Sequence, residues 1–163
     1  MPDVETLRPT PDRVRETLFN WLQPVINGSN CLDLYAGTGA LGFEAISRGA
    51  ASVVLVEQNP LAAEQLQKNI ETLGATGICL ERSDALQWLQ HVRQKFDLVF
   101  LDPPFGQGLI EKSCALLQEN ECLRPGALIY VEAEQDIQIP SGFTIKKQGI
   151  AGQVNYMLLE PVN

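Results

Sequence analysis

Short, nearly continuous apolar runs alternate with helical segments along most of this chain, and that alternation constrains the fold more than any other feature. Continuous apolar strands joined by helices predict a parallel sheet covered by helices on both faces. The runs that we expect to be strands are Cys31–Ala36, Ser52–Glu57, Ile78–Glu81, Phe96–Leu101 and Ala127–Val131. The helical segments between them run from the glycine turn to Arg48, then over 60–73, 85–92 and 109–118.

Both ends of the chain depart from this alternation. Near the start, Pro11 and Asp12 favour the beginning of a helix, which we expect Pro24 and Gly28 to end. The apolar stripe of that helix is formed by Val14, Leu18, Trp21 and Leu22. Near the end, Phe143–Lys147 and Val154–Glu160 are strand-like runs with no room for a helix between them. They predict a terminal β-hairpin, and therefore at least one antiparallel strand.

Length and composition limit the class of protein. A chain of 163 residues that is 45% hydrophobic suits one domain, which excludes a disordered chain or a disulfide-dependent miniprotein. No apolar stretch is long enough to span a membrane. The net charge of −8 argues against broad nonspecific binding to nucleic acid. The four cysteines form no CxxC pair and are expected to be buried free thiols, and a single histidine makes a zinc site unexpected.

A glycine-rich turn follows the first strand and opens a helix. It contains GxGxxG at Gly37, Gly39 and Gly42, and Glu57 ends the next strand, where a carboxylate can accept both ribose hydroxyls. The pattern predicts a nucleoside-containing ligand, either a dinucleotide or S-adenosylmethionine. Asp33 favours S-adenosylmethionine, because a carboxylate before the glycines repels a pyrophosphate and tolerates a cation. Asp84, after the third strand, suits either an adenine amino group or a helix cap, and the cap is the better reading of that residue alone.

The segment Asp102-Pro103-Pro104-Phe105 follows the fourth strand at its carboxyl end, where open α/β sheets bind ligands. Two prolines remove two N–H donors and stiffen the loop, so it offers acceptors at Asp102 and the Pro103 carbonyl. Phe105 adds a flat apolar face. Acceptors beside a ring suit a planar substrate with an exocyclic NH₂ group. Guanine fits better than adenine or cytosine, because its edge there carries donors alone.

Together these motifs resemble Class I S-adenosylmethionine-dependent methyltransferases of exocyclic amines. Three longer stretches, Leu7–Leu22, Leu32–Gly39 and Gly149–Val154, are similar to RsmD-type bacterial 16S rRNA guanine-N2 methyltransferases. The resemblance covers nearly the whole chain. It implies a Rossmann-like seven-stranded methyltransferase sheet of order 3-2-1-4-5-7-6, mostly parallel, with strand seven antiparallel and helices on both faces.

The resemblance also implies roles for individual residues. The methionine part of S-adenosylmethionine would lie near Asp33, Tyr35, Gly37 and Gly39, the ribose at Glu57, and the adenine at Asp84 and Ala85. The target base would be held by Asp102, Pro103, Pro104 and Phe105. The reaction would be an in-line displacement with no covalent enzyme intermediate, and Asp102 would stabilise the charge that develops on nitrogen.

Other functions remain open from the sequence. A related methyltransferase would act on adenine N6 or a protein glutamine, a nicotinamide-dependent oxidoreductase would share the glycine turn, and a binding module would keep the fold without the chemistry. We expect a cytoplasmic monomer that acts on 16S rRNA within a small ribosomal subunit, as one methyltransferase domain over residues 1–163. Residues 1–29 would form its N-terminal helical segment, without the basic segment typical of the family. On that helix, Arg13, Thr17 and Asn20 form a stripe that suits either an RNA-facing or a solvated surface.

Overall fold

The computed structural model describes residues 11–134 and 136–162, so Leu7–Thr10 of the first similar stretch lies outside them. The described residues form five helices and seven strands, which alternate as far as β5, and the strands make one sheet of order β3-β2-β1-β4-β5-β7-β6. The helices are α1 Asp12–Ile26, α2 Ala40–Ser47, α3 Pro60–Leu73, α4 Ala85–Leu89 and α5 Leu109–Glu119. The strands are β1 Asn30–Asp33, β2 Ser52–Val56, β3 Ile78–Glu81, β4 Phe96–Leu101, β5 Leu123–Glu134, β6 Phe143–Ala151 and β7 Val154–Pro161.

The sheet is parallel from β3 through β5, and β7 pairs antiparallel with both β5 and β6. One face packs on α1, α2 and α3, and the other packs on α4 and α5, so each face has its own apolar core. The predicted fold class, including the strand order and the antiparallel terminal strands, is confirmed. We call the side of the sheet on which the loops after β1, β2, β3 and β4 lie the carboxyl edge.

The first helix differs from the prediction at its C-terminal end. It begins at Asp12, with Pro11 as the flanking residue, and it continues through Pro24 to Ile26. Proline removes the hydrogen bond to the carbonyl four residues earlier. Here that carbonyl belongs to Asn20, and both Asn20 and Pro24 are exposed, so water can take the place of the missing donor. The expectation that Pro24 ends the helix is therefore wrong.

The later strands are longer than predicted. β5 extends from Leu123 to Glu134 rather than over 127–131, and it includes Pro125. The pairing register of β4 with β5 shifts between Phe96 and Leu98, and this irregularity lets the strand pass Pro125 and Gly126. The extension carries β5 past the end of β4, so two acidic residues of β5 reach the carboxyl edge.

Cysteine burial was predicted correctly at three of the four positions. Cys31, Cys114 and Cys122 are buried, but Cys79 is exposed, because it lies on the edge strand β3, whose residues alternate in burial. None of the helices in the described part of the chain is long and apolar enough to cross a membrane.

Candidate active site

The carboxyl edge of the sheet collects the acidic residues that the sequence singled out. Asp33 ends β1, and Glu57, Asp84 and Asp102 follow β2, β3 and β4. Because β3, β2, β1 and β4 are neighbours in that order, their ends lie side by side. The structure therefore brings the predicted cofactor residues and the predicted base-binding loop to one edge.

Glu57 connects the glycine turn to the end of β2 through hydrogen bonds. Its Oε1 accepts the Gly37 N–H at 2.7 Å and its Oε2 accepts the Asn59 N–H at 2.9 Å. Each carboxylate oxygen has two lone pairs, so both still have acceptor capacity for a ligand hydroxyl. Within the turn, Gly39 has φ +80°, and a Cβ there would lie 2.5 Å from Leu66 Cδ2. The turn therefore needs glycine at this position for both backbone conformation and space.

Asp33 is buried rather than open to the turn. It is 3% exposed, and its Oδ2 accepts the Gly42 N–H of α2 at 3.2 Å, which fixes the start of that helix. Burial raises the pKa of Asp33 well above its ordinary value, and the negative charges of Asp102, Glu57 and Glu132 raise it further. The hydrogen bond from Gly42 opposes this shift. The three neighbouring carboxylates thus create a negative potential at Asp33, and Asp33 holds the helix that begins there.

The residues expected near the adenine have clear structural roles. Asp84 caps α4, because its Oδ2 accepts the Gln87 N–H at 3.0 Å, so the cap that its sequence favoured is confirmed. The Ala85 side chain is buried in the core, which leaves its backbone N–H, in the first turn of α4, as the group that can meet a ligand.

Tyr35 contacts a helix rather than the glycine turn. Its hydroxyl hydrogen-bonds to the Ser113 hydroxyl of α5 at 2.8 Å, and its ring packs with the core on the α5 side of the sheet. Burial raises the pKa of Tyr35, so it stays a neutral phenol. The sequence motif that contains Tyr35 gave no sign of the Ser113 contact, which joins residues far apart in the chain.

The loop after β4 becomes more exposed along its length. Asp102 is half-buried, Pro103 is buried and Pro104 is exposed, and Phe105 is 36% exposed. A ring of that exposure at a sheet edge leaves part of its surface available to a planar partner. Beyond it, the Gly106 N–H donates to Glu134 Oε1 at 2.8 Å, so the far end of β5 holds this loop.

Two acidic residues of this edge were not predicted from the sequence. Glu132 is 1% exposed and accepts the Tyr130 hydroxyl at 2.8 Å, and burial with the Glu132 charge raises the pKa of Tyr130. Glu134 is exposed and holds Gly106. The available signal was the alternation Val131-Glu132-Ala133-Glu134, which continues a strand in which every second residue turns to the same face.

The side chains of this edge suit a cationic nucleoside rather than a phosphate. Asp33, Glu57, Asp84 and Asp102 supply acceptors, and carboxylates attract ammonium or sulfonium groups while repelling pyrophosphate. The residues present therefore fit S-adenosylmethionine. Within the described ranges, no group of three or more His, Cys, Asp or Glu side chains is placed to hold a metal ion.

Comparison with known proteins identifies the family. The model of a family described as Conserved hypothetical protein 95 matches residues 1–160. The chain belongs to this family. The chain is 45% identical to the Escherichia coli strain K12 protein named ribosomal RNA small subunit methyltransferase D, over 98% of this chain and 82% of that one. It is 47% identical to the Haemophilus influenzae protein of the same name, over 96% of this chain and 84% of that one.

Solved structures with the same fold as this chain include two that share 32–46% of its sequence. The yhhF protein of Escherichia coli superposes with a TM-score of 0.89 at 46% identity, over 95% of this chain and 88% of that one. A conserved hypothetical protein of Streptococcus pyogenes superposes with a TM-score of 0.82 at 32% identity, over 89% and 93% of the two chains. The resemblance to RsmD-type proteins that the sequence motifs indicated is confirmed.

Proposed function

We propose that this protein is an S-adenosylmethionine-dependent methyltransferase that methylates the exocyclic N2 amine of a guanine in 16S ribosomal RNA. The observation that carries the proposal is the position of Asp102–Phe105, which follows β4 directly beside the glycine turn after β1. The relatives named ribosomal RNA small subunit methyltransferase D support small-subunit ribosomal RNA as the substrate. We assign the activity to one methyltransferase domain.

The cofactor residues are proposed from the acceptors at this edge. Glu57 would hold the ribose hydroxyls, and Asp84 with the Ala85 N–H would hold the adenine. The methionine part would lie by Asp33, Gly37 and Gly39, and the negative potential that the neighbouring carboxylates create at Asp33 would favour its ammonium group. When bound, S-adenosylmethionine supplies an electrophilic methyl group on a sulfonium. Tyr35 would line the cofactor site on the side nearest α5, where its hydroxyl hydrogen-bonds to Ser113.

The target base is proposed to lie against the loop after β4. Asp102 and the Pro103 carbonyl accept the two hydrogens of the amine, and this orients the nitrogen lone pair away from the loop. Asp102 also stabilises the positive charge that develops on nitrogen. Phe105 stacks on the ring, and Pro104 keeps the loop stiff. Guanine is favoured over adenine because its N1–H and N2 hydrogens form an all-donor edge that matches a carboxylate.

The RNA partner is proposed to be 16S rRNA within a small ribosomal subunit, bound by a monomer in the cytoplasm. The net charge of −8 gives little general attraction for phosphate, so the shape of a folded particle is the better basis for recognition. Arg13 and Asn20 are exposed on α1, whose Trp21 stacks on Tyr156 of β7 with 5.4 Å between the ring centroids. We assign this face of α1 to the RNA.

The test is transfer of labelled methyl from S-adenosylmethionine to small ribosomal subunits that lack the modification, followed by digestion to nucleosides. We expect N2-methylguanosine from the wild type. Asp102→Asn should lower turnover by roughly 100-fold or more while cofactor affinity is mostly kept. Asp136→Asn, an exposed aspartate after β5, is the matched control and should behave as wild type. If the product is N6-methyladenosine, the target base is adenine and not guanine. Full activity of Asp102→Asn would contradict the role of Asp102 in holding the amine.

A further inference from the structure

The loop that carries Phe105 is held from outside its own strand. Gly106, the next residue, donates its N–H to Glu134 Oε1 at 2.8 Å, across 28 positions of sequence. Glu134 is the last residue of β5, in the part of that strand that extends beyond the predicted run. A hydrogen bond to a carboxylate is shorter and stronger than one between neutral groups.

This contact supplies a backbone hydrogen bond that the prolines of the loop cannot make. Pro103 and Pro104 lack N–H groups, so neither can donate a hydrogen bond from the backbone. Gly106 has φ +79°, a conformation that glycine adopts freely, so its own backbone preferences do not fix the direction of the chain after Phe105. The Glu134 carboxylate selects one direction by accepting the Gly106 N–H.

We propose that Glu134 is a positioning residue for the methylation reaction, and that it acts by fixing the Phe105 ring in the orientation that receives the target base. This inference rests on the proposed function, because it assumes that Phe105 stacks on a base. Glu134 would contact neither the base nor the cofactor. Through its hydrogen bond to Gly106, it fixes the orientation of the Phe105 ring before the substrate binds.

The exposure of Glu134 separates this role from a purely structural one. Its side chain is exposed and outside both apolar cores, so its removal leaves the packing of the sheet unchanged. The unfolding transition should therefore change little, and the main effect of its removal should appear in the KM for the RNA.

The experiment compares Glu134→Ala and Glu134→Gln in the methyl-transfer assay with small ribosomal subunits. Loss of one hydrogen bond of about 1.4 kcal/mol corresponds to roughly tenfold, so Glu134→Ala should raise the KM for the RNA by about that factor. Glu134→Gln keeps a side-chain oxygen that can accept the Gly106 N–H, and it should stay within about threefold of wild type. The cofactor Kd should not change in either variant. Glu119→Ala, an exposed glutamate at the last residue of α5, is the matched control.

A double-mutant cycle tests whether Glu134 acts through Phe105. In a Phe105→Ala background, Glu134→Ala should have no further effect on KM, because the ring that it positions is gone. Equal effects of Glu134→Ala in both backgrounds would overturn the proposal, and so would a Glu134→Ala variant that matches Glu119→Ala.

Hydrogen exchange of the Gly106 amide separates failure of this inference from failure of the proposed function. If the wild type transfers no methyl to RNA, the proposed function fails, and exchange alone then decides the role of Glu134. Protection of Gly106 in the wild type and Glu134→Gln that is lost in Glu134→Ala would support the holding of the loop. Equal exchange in all three would overturn it.

Discussion

Replacement of Glu57 by glutamine tests the connection between the glycine turn and the cofactor. The wild-type carboxylate accepts two backbone N–H groups, from Gly37 at 2.7 Å and from Asn59 at 2.9 Å. The amide of Glu57→Gln keeps one oxygen, so one of these bonds becomes neutral and the other N–H faces an NH₂ donor. Losing a hydrogen bond to a charged group costs about 1.5–3 kcal/mol in general. Because Glu57 is only half-buried, we expect the free energy of unfolding to fall by about 2 kcal/mol.

The same substitution should weaken cofactor binding by a separate amount. A hydrogen bond from a ribose hydroxyl to a carboxylate contributes about 1.5–3 kcal/mol to the free energy of binding. Its loss should therefore weaken the binding of S-adenosylmethionine roughly 10- to 100-fold. Denaturant unfolding measures the first effect, and calorimetric titration with the cofactor measures the second. Glu64→Gln on α3 is the control, because its exposed contact with Lys68 at 3.4 Å should contribute less than about 1 kcal/mol.

Two outcomes would refute this reasoning in different places. If Glu57→Gln unfolds like the wild type, the two backbone bonds do not stabilise the turn. If its stability falls and the cofactor Kd stays unchanged, the carboxylate holds the turn without contacting the ribose.

Two further substitutions test the electrostatics and the packing of the same edge. The pKa of Asp33 in the folded state is raised above its ordinary value of 3.8. Between pH 3.8 and the folded-state pKa, the folded protein binds more protons than the unfolded chain, so the free energy of unfolding falls as pH rises through this range. Asp33→Asn should therefore unfold at a higher temperature than wild type above this window and show a flatter dependence of Tm on pH, and equal pH profiles would contradict this. Gly39→Ala should lower the free energy of unfolding by about 2–4 kcal/mol, since it combines a left-handed backbone with a Cβ 2.5 Å from Leu66 Cδ2 and 2.7 Å from Phe43 Cε2. Gly28→Ala, with φ +79° and nothing within 4 Å, isolates the backbone cost in denaturant unfolding, and equal losses in the two variants would show that the contacts do not matter.

Local signals in the sequence were sufficient for most of the fold. The bounds of α3, Pro60–Leu73, were predicted correctly, and the structure shows why, since Asn59 caps its first turn and Gly74 ends it in the left-handed conformation. The parallel order followed from the family resemblance and from apolar runs that can be buried on both faces. The grouping of acidic residues at one edge followed from topology, because each stands at the carboxyl end of a parallel strand.

Contacts between distant parts of the chain could not be predicted in this way. Tyr35 meets Ser113 through the packing of α5 on the sheet, and Gly106 meets Glu134 because β5 pairs with β4. Neither pair has a spacing or a motif that marks it. The extension of β5 was missed for a local reason, since Pro125 and Gly126 resemble a turn and the two later glutamates resemble the start of a loop.

The burial of Asp33 determines which ligand charge this edge of the sheet can accept. A carboxylate placed in the interior near Asp102, Glu57 and Glu132 is destabilised by desolvation and by like charge, and the Gly42 N–H offsets only part of that cost. An apolar or amide side chain in its place would make the protein more stable. A cation bound at this edge reverses the sign of the effect, because the same negative potential then attracts the ligand. An anionic dinucleotide would add to the repulsion instead, so the electrostatics of the fold favour a sulfonium cofactor over a pyrophosphate.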